Sequence, residues 1–344
     1  MTTDATDRLL LDQIDWDAPE IPDGLSDADY DDVLHRLSVA SVERHFDAFA
    51  DIDWDHPDFE IRHDDPRWRL PEADPLGGSD WYGAQPLDKQ IAIGLWRQSN
   101  IFKVGWQFES ILVRGILQYN FSLPNASTEY RYLMHEATEE CHHIQMFHEA
   151  VKRIGIEVTG MPRWIRAVSP LIPLVAHRIP VVFFIGVLAG EEPIDHLQKA
   201  VLRSRRESHP VMGRIMEIHV AEEARHISFA HEFIRRHAPR LGRISRFTVS
   251  LLLPVIMRVL GDAILIPPKE FQRRFDIPEG LIEELYTDSE AAERFLGDTF
   301  ADVRMLAEES GLMNPVSRRL WKRLRMLGRR PSRFRSEPPT AFAA

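Results

Sequence analysis

Apolar residues recur at intervals of three and four along most of the chain, and no segment shows the strict alternation of a half-buried strand. This period is typical of helices that bury one face. In the last predicted helix, at residues 288–310, we expect Asp288 to cap the N-terminus. The pattern predicts an all-α protein with helices near residues 28–50, 88–120, 127–155, 181–206, 209–237, 241–263 and 288–310.

Polar composition divides the chain into three parts. Residues 1–87 are rich in Asp and Pro around a single helix, which predicts an acidic N-terminal arm packed on the core. Residues 88–312 contain the long helices and form the predicted helical domain. Residues 313–344 form a basic C-terminal tail, with nine Lys and Arg between 318 and 335. A solvated tail is one interpretation, and docking on an acidic surface or on anionic lipid is the other.

Charge and cysteine content narrow the function classes. The 344 residues carry a net charge of −11, which argues against a nucleic-acid binder. The lone cysteine, Cys141, excludes an internal disulfide, suits a reducing cytoplasm and is expected to be a small buried thiol. The N-terminus lacks the pattern of a signal peptide. Two apolar stretches, 170–190 and 248–266, are interrupted by Pro and charged residues, so we expect core helices there and leave peripheral membrane contact open.

The motif with the clearest chemistry is His219-xxx-Glu223-xx-His226, on the predicted helix 209–237. Residues three, four and seven apart share one face of a helix. That face also carries apolar residues, so the motif points into an apolar interior. An unpaired carboxylate is costly there, and a bound metal ion is the expected partner of the three side chains.

A second Glu-xx-His motif lies upstream, in the sequence Glu139-Glu140-Cys-His-His143. Glu140 falls within the apolar stripe of its helix and His143 on the flank, so they are preferred as ligands to the overlapping pair of Glu139 and His142. Glu139 and Glu222 each precede a predicted ligand Glu. A carboxylate at these positions can accept the second ring N–H of a metal-bound His, and an exposed surface Glu is the alternative.

Two further carboxylates would complete a site for a pair of metal ions, each from its own helix. Glu109 is the only Glu of its predicted helix and lies among apolar residues, where an interior salt bridge is the alternative explanation. On the helix predicted at 181–206, the apolar stripe passes through Glu191, which is therefore preferred to Glu192.

The resulting ligand set is electrically balanced, because four Glu offset the charge of two divalent ions. Mixed carboxylate and imidazole ligation suits iron, with manganese as the alternative metal. Glu136 lies one turn before Glu140 and close to the ligand face, where it can hydrogen-bond a ligand, bind a substrate amine or form a salt bridge. The predicted ligands are Glu109, Glu140, His143, Glu191, His219, Glu223 and His226.

A third histidine makes this pattern specific. Residues 90–235 resemble the non-haem di-iron N-oxygenases typified by p-aminobenzoate N-oxygenase. The shared features are Glu109, Glu140-xx-His143, a Glu-xx-Ile at 191–194, Pro210 and His219-xxx-Glu223-xx-His226. The resemblance implies a ferritin-like bundle with four metal-binding core helices plus additional helices. It also implies two iron ions that activate O2 through a peroxo intermediate and oxidise an amine or another small organic substrate.

Two other interpretations of the site stay open. A di-iron acyl or lipid desaturase or hydroxylase would suit the apolar stretches of the chain. A structural or metal-storage bundle would need no substrate at all. For either enzyme the electrons are expected from a separate reductase or ferredoxin, because the chain has no Rossmann or flavin fingerprint. A homodimer is left open.

Overall fold

Helices are the only regular structure in residues 27–203 and 208–331, the two ranges that this computed structural model describes. The predicted all-α class is confirmed. Short helical turns at 57–59, 66–68, 169–171 and 284–288 join some of the helices. The helices are α1 (Asp27–Glu43), α2 (Asp80–Gly83), α3 (Leu87–Asn120), α4 (Thr128–Ile154), α5 (Arg163–Val168), α6 (Ile172–Arg178), α7 (Pro180–Leu202), α8 (Pro210–His237), α9 (Arg243–Leu265), α10 (Lys269–Arg274), α11 (Leu281–Glu283), α12 (Glu290–Thr299), α13 (Ala301–Glu309) and α14 (Pro315–Arg323).

Four long helices, α3, α4, α7 and α8, form the core bundle. Helix α3 packs along α4, α7 packs along α8, and the two pairs meet through α3 with α7 and α4 with α8. Short connections favour antiparallel neighbours of this kind. Gly155 ends α4 in the left-handed region at φ 71°, a conformation that costs glycine little. Pro210 begins α8, where its missing N–H is not needed.

The remaining helices cover the bundle. Helix α1 packs on α4 and α8, α6 packs on α3, and α9 packs on α7. The predicted surface segment 51–87 is held by buried side chains, among them Trp68, Leu70 and Tyr82. Residues 1–26 of the predicted acidic arm, the end of the predicted helix 181–206 and residues 332–344 of the predicted tail lie outside the described ranges.

The end of the predicted last helix differs from the structure. The segment 288–310 is two helices, α12 and α13, which are separated at the buried Phe300. The predicted cap Asp288 is wrong, because Ser289 holds that position and its Oγ accepts the backbone N–H of Ala292 at 3.0 Å. The predicted basic tail begins with a packed helix: α14 lies on α9 and buries Trp321 completely. A wholly solvated tail is therefore wrong.

Cys141 and α9 also depart from their predicted environments. The Cys141 side chain is exposed on α4, so the prediction of a buried thiol is wrong. Residues Arg243–Arg274, which include α9, are long and apolar enough to cross a membrane, with a window of mean hydropathy 2.1 that is 44 % buried. Length and composition alone are weak support for a span, because the core helices of soluble proteins share them. The predicted core helix at 248–266 is therefore only half correct, since one face of α9 remains exposed.

Candidate metal centre

The seven predicted ligands come from all four helices of the bundle, and each is buried. Helix α3 supplies Glu109 and α7 supplies Glu191. Helix α4 supplies Glu140 and His143, and α8 supplies the three remaining ligands. The i, i+3 and i, i+4 spacings project these side chains inward from each helix, where the bundle brings four short segments to one place.

Six of the seven side chains form two overlapping groups. One group is Glu109, His143, His219 and Glu223, and the other is Glu140, His143, Glu223 and His226. Within each group the ligand atoms lie within 4.8 Å of one another. Because the two groups share two side chains, they describe neighbouring positions for a pair of ions.

Glu223 lies at the centre of the cluster. Its Oε1 is 3.3 Å from Nε2 of His219, 3.5 Å from Nδ1 of His143 and 3.5 Å from Nδ1 of His226. Glu140 approaches the same rings, with Oε1 2.9 Å from His226 Nδ1 and Oε2 3.5 Å from His143 Nδ1. The carboxylates and imidazole nitrogens are therefore spaced for common ligation.

Glu191 belongs to neither group, although it lines one cavity together with Glu109, His219 and Glu223. Both of its oxygens are buried without a hydrogen-bond partner. The neighbouring Glu192 points elsewhere, since its Oε1 lies 2.5 Å from His231 Nε2 in a buried pair. The structure thus places Glu191, and not Glu192, beside the cluster.

Unpaired buried atoms test whether this cluster fits metal ions. In the described residues, Glu109 Oε2, Glu223 Oε2 and both Glu140 oxygens have no hydrogen-bond partner, and neither do the Nδ1 atoms of His143 and His226. Buried polar atoms are almost always satisfied, and each exception calls for an explanation. Oxygen and imidazole nitrogen donors of this kind fit a pair of iron or manganese ions.

Two carboxylates brace the histidines across the bundle. The Nε2–H of His143 on α4 donates to Glu222 Oε2 on α8 at 2.8 Å. Conversely, the Nε2–H of His226 on α8 donates to Glu139 Oε2 on α4 at 2.8 Å. Arg225 links the two braces, 2.9 Å from Glu139 and 3.6 Å from Glu222. Each brace leaves the Nδ1 lone pair of its ring free for an ion.

Gln198 is a further brace that the sequence analysis missed. Its Oε1 lies 2.9 Å from Nδ1 of His219, so the ring Nε2 faces Glu109 at 3.2 Å. Burial lowers the pKa of His219 to about 4, which keeps the imidazole neutral as a metal ligand requires. The sequence does contain a feature that could have indicated Gln198: it lies seven residues after Glu191 and therefore on the same face of that helix.

Burial also controls the protonation of the carboxyl groups. Desolvation, followed by repulsion from Glu140, raises the pKa of Glu109 well above its ordinary value. Desolvation, followed by repulsion from Glu223, likewise raises the pKa of Glu191 well above its ordinary value. Glu136, fully buried one turn before Glu140, has its pKa raised to about 8 by burial. Without an ion, burial therefore favours the protonated form of all three carboxyl groups, and Glu136 holds its proton at neutral pH.

The chain matches one protein family over most of its length. The family described as p-aminobenzoate N-oxygenase AurF matches residues 27–311. This chain belongs to that family. Uncharacterized proteins of Mycobacterium bovis and Mycobacterium tuberculosis are each 55 % identical to it over 316 residues, which is 92 % of this chain and 93 % of the relative. No solved structure matches the chain.

Membership confirms the predicted family, and the match extends beyond residues 90–235. The family has a helical ferritin-like di-iron fold, and the bundle of α3, α4, α7 and α8 has that form. The buried Glu and His groups are compatible with two metal ions in this N-oxygenase family member.

A small apolar cavity adjoins the cluster. It has a volume of about 30 Å³ and opens beside Glu109, Glu191 and His219. Gly190 provides room for its wall, because a Cβ there would lie 1.8 Å from the Phe108 ring. Gly105 similarly accommodates the ring of another wall residue. The apolar lining is Ile101, Phe102, Val104, Phe108, Phe147, Ile194 and Ile264.

Proposed function

We propose that this protein is a di-iron oxygenase that activates O2 and oxidises a small organic substrate, with an amine as the substrate class suggested by its family. The observation that carries the proposal is the convergence of buried carboxylates with three histidines, including His219. Storage of iron would not require an apolar cavity beside the cluster, whereas oxidation of an organic substrate would.

The side chains have separable roles in this proposal. Glu109, Glu140, Glu191 and Glu223 would balance the charge of two iron ions, and the three histidines would complete their shells. Iron held there would supply the redox chemistry of O2 reduction. The braces hold the imidazole rings in one orientation, and Phe102, Phe108 and Phe147 give the cavity an apolar wall. Glu136 would hold a proton on its carboxyl group near the cluster.

The proposals for the electron source and the cellular location rest on features of the sequence. We propose that a separate reductase or ferredoxin delivers electrons, since no nucleotide-binding fingerprint is present in the chain. A cytoplasmic location fits the lone cysteine.

A second candidate is a desaturase or hydroxylase for an apolar substrate. The cavity supports it, because none of the described residues that line the cavity is Lys or Arg. A carboxylate such as that of aminobenzoate would find no cationic partner in this lining. An uncharged arylamine and an acyl chain would both match the apolar chemistry of this lining, and either would need more room than the cavity's volume of about 30 Å³.

Metal loading tests the proposed centre. After anaerobic addition of Fe(II) and removal of excess metal, we expect about two iron ions per chain by elemental analysis. Glu223→Ala should lose most of this iron, because Glu223 belongs to both ligand groups. His142→Ala is the matched control: His142 adjoins His143 on α4 but lies outside both groups, and its iron content should be unchanged. A folded wild-type chain without bound iron or manganese would favour a structural bundle instead.

Substrate assays then separate the two enzymes. The iron-loaded chain with a chemical reductant is exposed to O2 in the presence of a neutral arylamine or a fatty acyl thioester. Arylamine-dependent O2 uptake with formation of N-oxygenated product supports the N-oxygenase, and acyl-dependent uptake supports the second candidate. Iron binding without substrate-dependent uptake by either class would count against both.

A further inference from the structure

Two long stretches of this acidic chain contain no Asp or Glu. Residues 158–190 have only Arg163, Arg166 and Arg178 as charged residues, and residues 233–261 have six Arg. The net charge of the whole chain is −11, so this distribution is strongly uneven. The first stretch contains α5 and α6, and the second contains most of α9.

The same stretches expose large apolar side chains. On α5, α6 and their connection, Trp164 is 54 % exposed, and Leu171 and Leu174 are 60 % and 59 % exposed. On α9, the exposed residues Leu252, Val255 and Val259 follow the three- and four-residue spacing of one helix face. Single exposed apolar residues are normal, but recurrence on neighbouring elements marks an interaction surface.

The two exposed faces border one hydrophobic cluster. Ile165 of α5 and Ile172 at the start of α6 pack in the same cluster as Leu260 and Ile264 of α9. Phe108 belongs to this cluster too, and both Phe108 and Ile264 line the cavity beside the candidate metal centre. We call the exposed sides of α5, α6 and α9 the apolar face. It therefore lies near the apolar end of the cavity.

Three arginines of α5 and α6 accompany the apolar face without a carboxylate partner among the described residues, whereas Arg258 of α9 pairs with Asp262 at 2.9 Å. Arg163, Arg166 and Arg178 are exposed, and none of them forms an ion pair with another described residue. Unpaired Arg beside exposed Leu and Trp is the composition of helices that lie in the interface of a membrane.

We propose that the apolar face docks on the surface of an anionic phospholipid bilayer. Leu171, Leu174 and Trp164 would enter the boundary between headgroups and acyl chains, and the three arginines would contact lipid phosphates. Arginines close to an anionic bilayer surface are attracted by its negative potential and strengthen binding. Local positive charge is needed because the chain as a whole would be repelled by that surface.

Charge and packing favour this occupant over a second copy and over a membrane span. A two-fold contact would place the arginines of one copy against those of the other, with no carboxylate from these stretches to offset them. A span through α9 would require that helix to leave α7 and α14, on which it packs. Docking would also bring the hydrophobic cluster that lines the cavity close to a phase that dissolves apolar substrates; this last point alone rests on the proposed function.

Vesicle binding tests the proposal independently of catalysis. The full chain as purified is sedimented with vesicles of phosphatidylcholine containing phosphatidylglycerol, and with vesicles of phosphatidylcholine alone. We expect binding to the anionic vesicles that weakens as NaCl is added. Arg163→Gln/Arg166→Gln/Arg178→Gln and Leu171→Ser/Leu174→Ser should each lower the partition coefficient by about tenfold or more.

Matched variants elsewhere on the surface provide the controls. Arg36→Gln/Arg44→Gln/Arg131→Gln changes the net charge by the same amount, and Val42→Ser/Phe49→Ser removes two apolar side chains of similar exposure. Both should bind vesicles as the wild type does. Circular dichroism and the urea-unfolding midpoint verify that every variant is folded.

Three results would overturn the proposal. The first is a wild-type chain that sediments with neither kind of vesicle, so that its measured partition coefficient is zero within error. The second is a loss of binding in the control variants as large as in the apolar-face variants, which would assign binding to overall charge or hydrophobicity. Finally, a wild-type dimer that Leu171→Ser/Leu174→Ser converts to a monomer, without vesicle binding, would assign the face to self-association.

Discussion

Replacing Glu222 by Ala should weaken iron binding without touching a ligand. Glu222 is fully buried, and its Oε2 accepts the Nε2–H of His143 at 2.8 Å. Its Oε1 accepts the backbone N–H of Phe46 at 3.1 Å. The variant removes both acceptors, so the imidazole ring loses the contact that fixes its orientation and directs its Nδ1 toward the cluster.

The size of the effect follows from these two contacts. Loss of a carboxylate that braces a ligating His typically costs about 10- to 100-fold in metal affinity, which corresponds to about 1.4–2.7 kcal/mol. Each donor left unpaired in the interior costs about 1–3 kcal/mol of stability. Two donors are affected here, so the unfolding free energy of the metal-free protein should fall by about 2–6 kcal/mol, less where water enters the space.

Chelator competition under anaerobic conditions measures the iron affinity, and urea unfolding measures the stability. Glu222→Gln should give an intermediate result, because its single carbonyl oxygen can accept from His143 or Phe46 but cannot replace both carboxylate oxygens. Glu217→Ala is the matched control, since Glu217 is exposed on the same helix and lies 3.7 Å from Arg214. Its stability should stay within about 0.5 kcal/mol of the wild type.

One outcome would refute this reasoning directly. If Glu222→Ala binds iron within about twofold of the wild type while remaining folded, the imidazole orientation does not depend on this brace, contrary to the usual effect of such contacts.

Three other variants test other parts of the site. Burial raises the pKa of Glu136 to about 8, so the folded metal-free protein keeps a proton that the unfolded chain releases near pH 4.5. Raising the pH between these two values therefore destabilises the folded wild-type protein. Glu136→Gln has no such proton to lose, so its stability relative to the wild type should rise by up to about 1.4 kcal/mol per pH unit in this range. A difference in urea unfolding free energy that is constant from pH 5.5 to 8.5 would contradict this. Gln198→Ala should lower iron affinity about tenfold, because the tautomer of His219 is no longer held; unchanged chelator competition would show that Gln198 is dispensable. Gly190→Ala places a Cβ 1.8 Å from the Phe108 ring and should lower the free energy of unfolding by about 1–3 kcal/mol. The double variant Gly190→Ala/Phe108→Leu should recover part of this loss. A Gly190→Ala variant with the wild-type melting temperature would mean that the ring moves aside freely.

Much of this architecture could be predicted from local patterns. The three- and four-residue spacing located the four bundle helices to within about four residues at each end, because burial of one helix face produces that period in the sequence. Helix α1 ends at Glu43, seven residues before the predicted end at residue 50. Glu109 was found because a lone carboxylate among apolar residues is costly unless it has a partner, and the same reasoning selected Glu140 over Glu139. The family resemblance, which depended on the third histidine, is confirmed by the match over residues 27–311.

Other features depend on contacts between helices. The exposure of Cys141 depends on which face of α4 the neighbouring helices cover. At the break between α12 and α13, the side chain of Phe300 is completely buried. The same limit hid Gln198, whose role exists only because α8 brings His219 within 2.9 Å of it.

The residue types and their spacing along each helix already specify a buried, carboxylate-rich site with histidine ligands, because helical geometry is local and burial of charge is costly. The choice of partner for each side chain is different. Glu139 of α4 hydrogen-bonds a histidine of α8, and Glu222 of α8 hydrogen-bonds a histidine of α4. The spacing of residues within either helix cannot predict these partners on the other helix. This pairing arises when the packed bundle sets the distance between helices, since hydrogen bonds form only over about 3 Å.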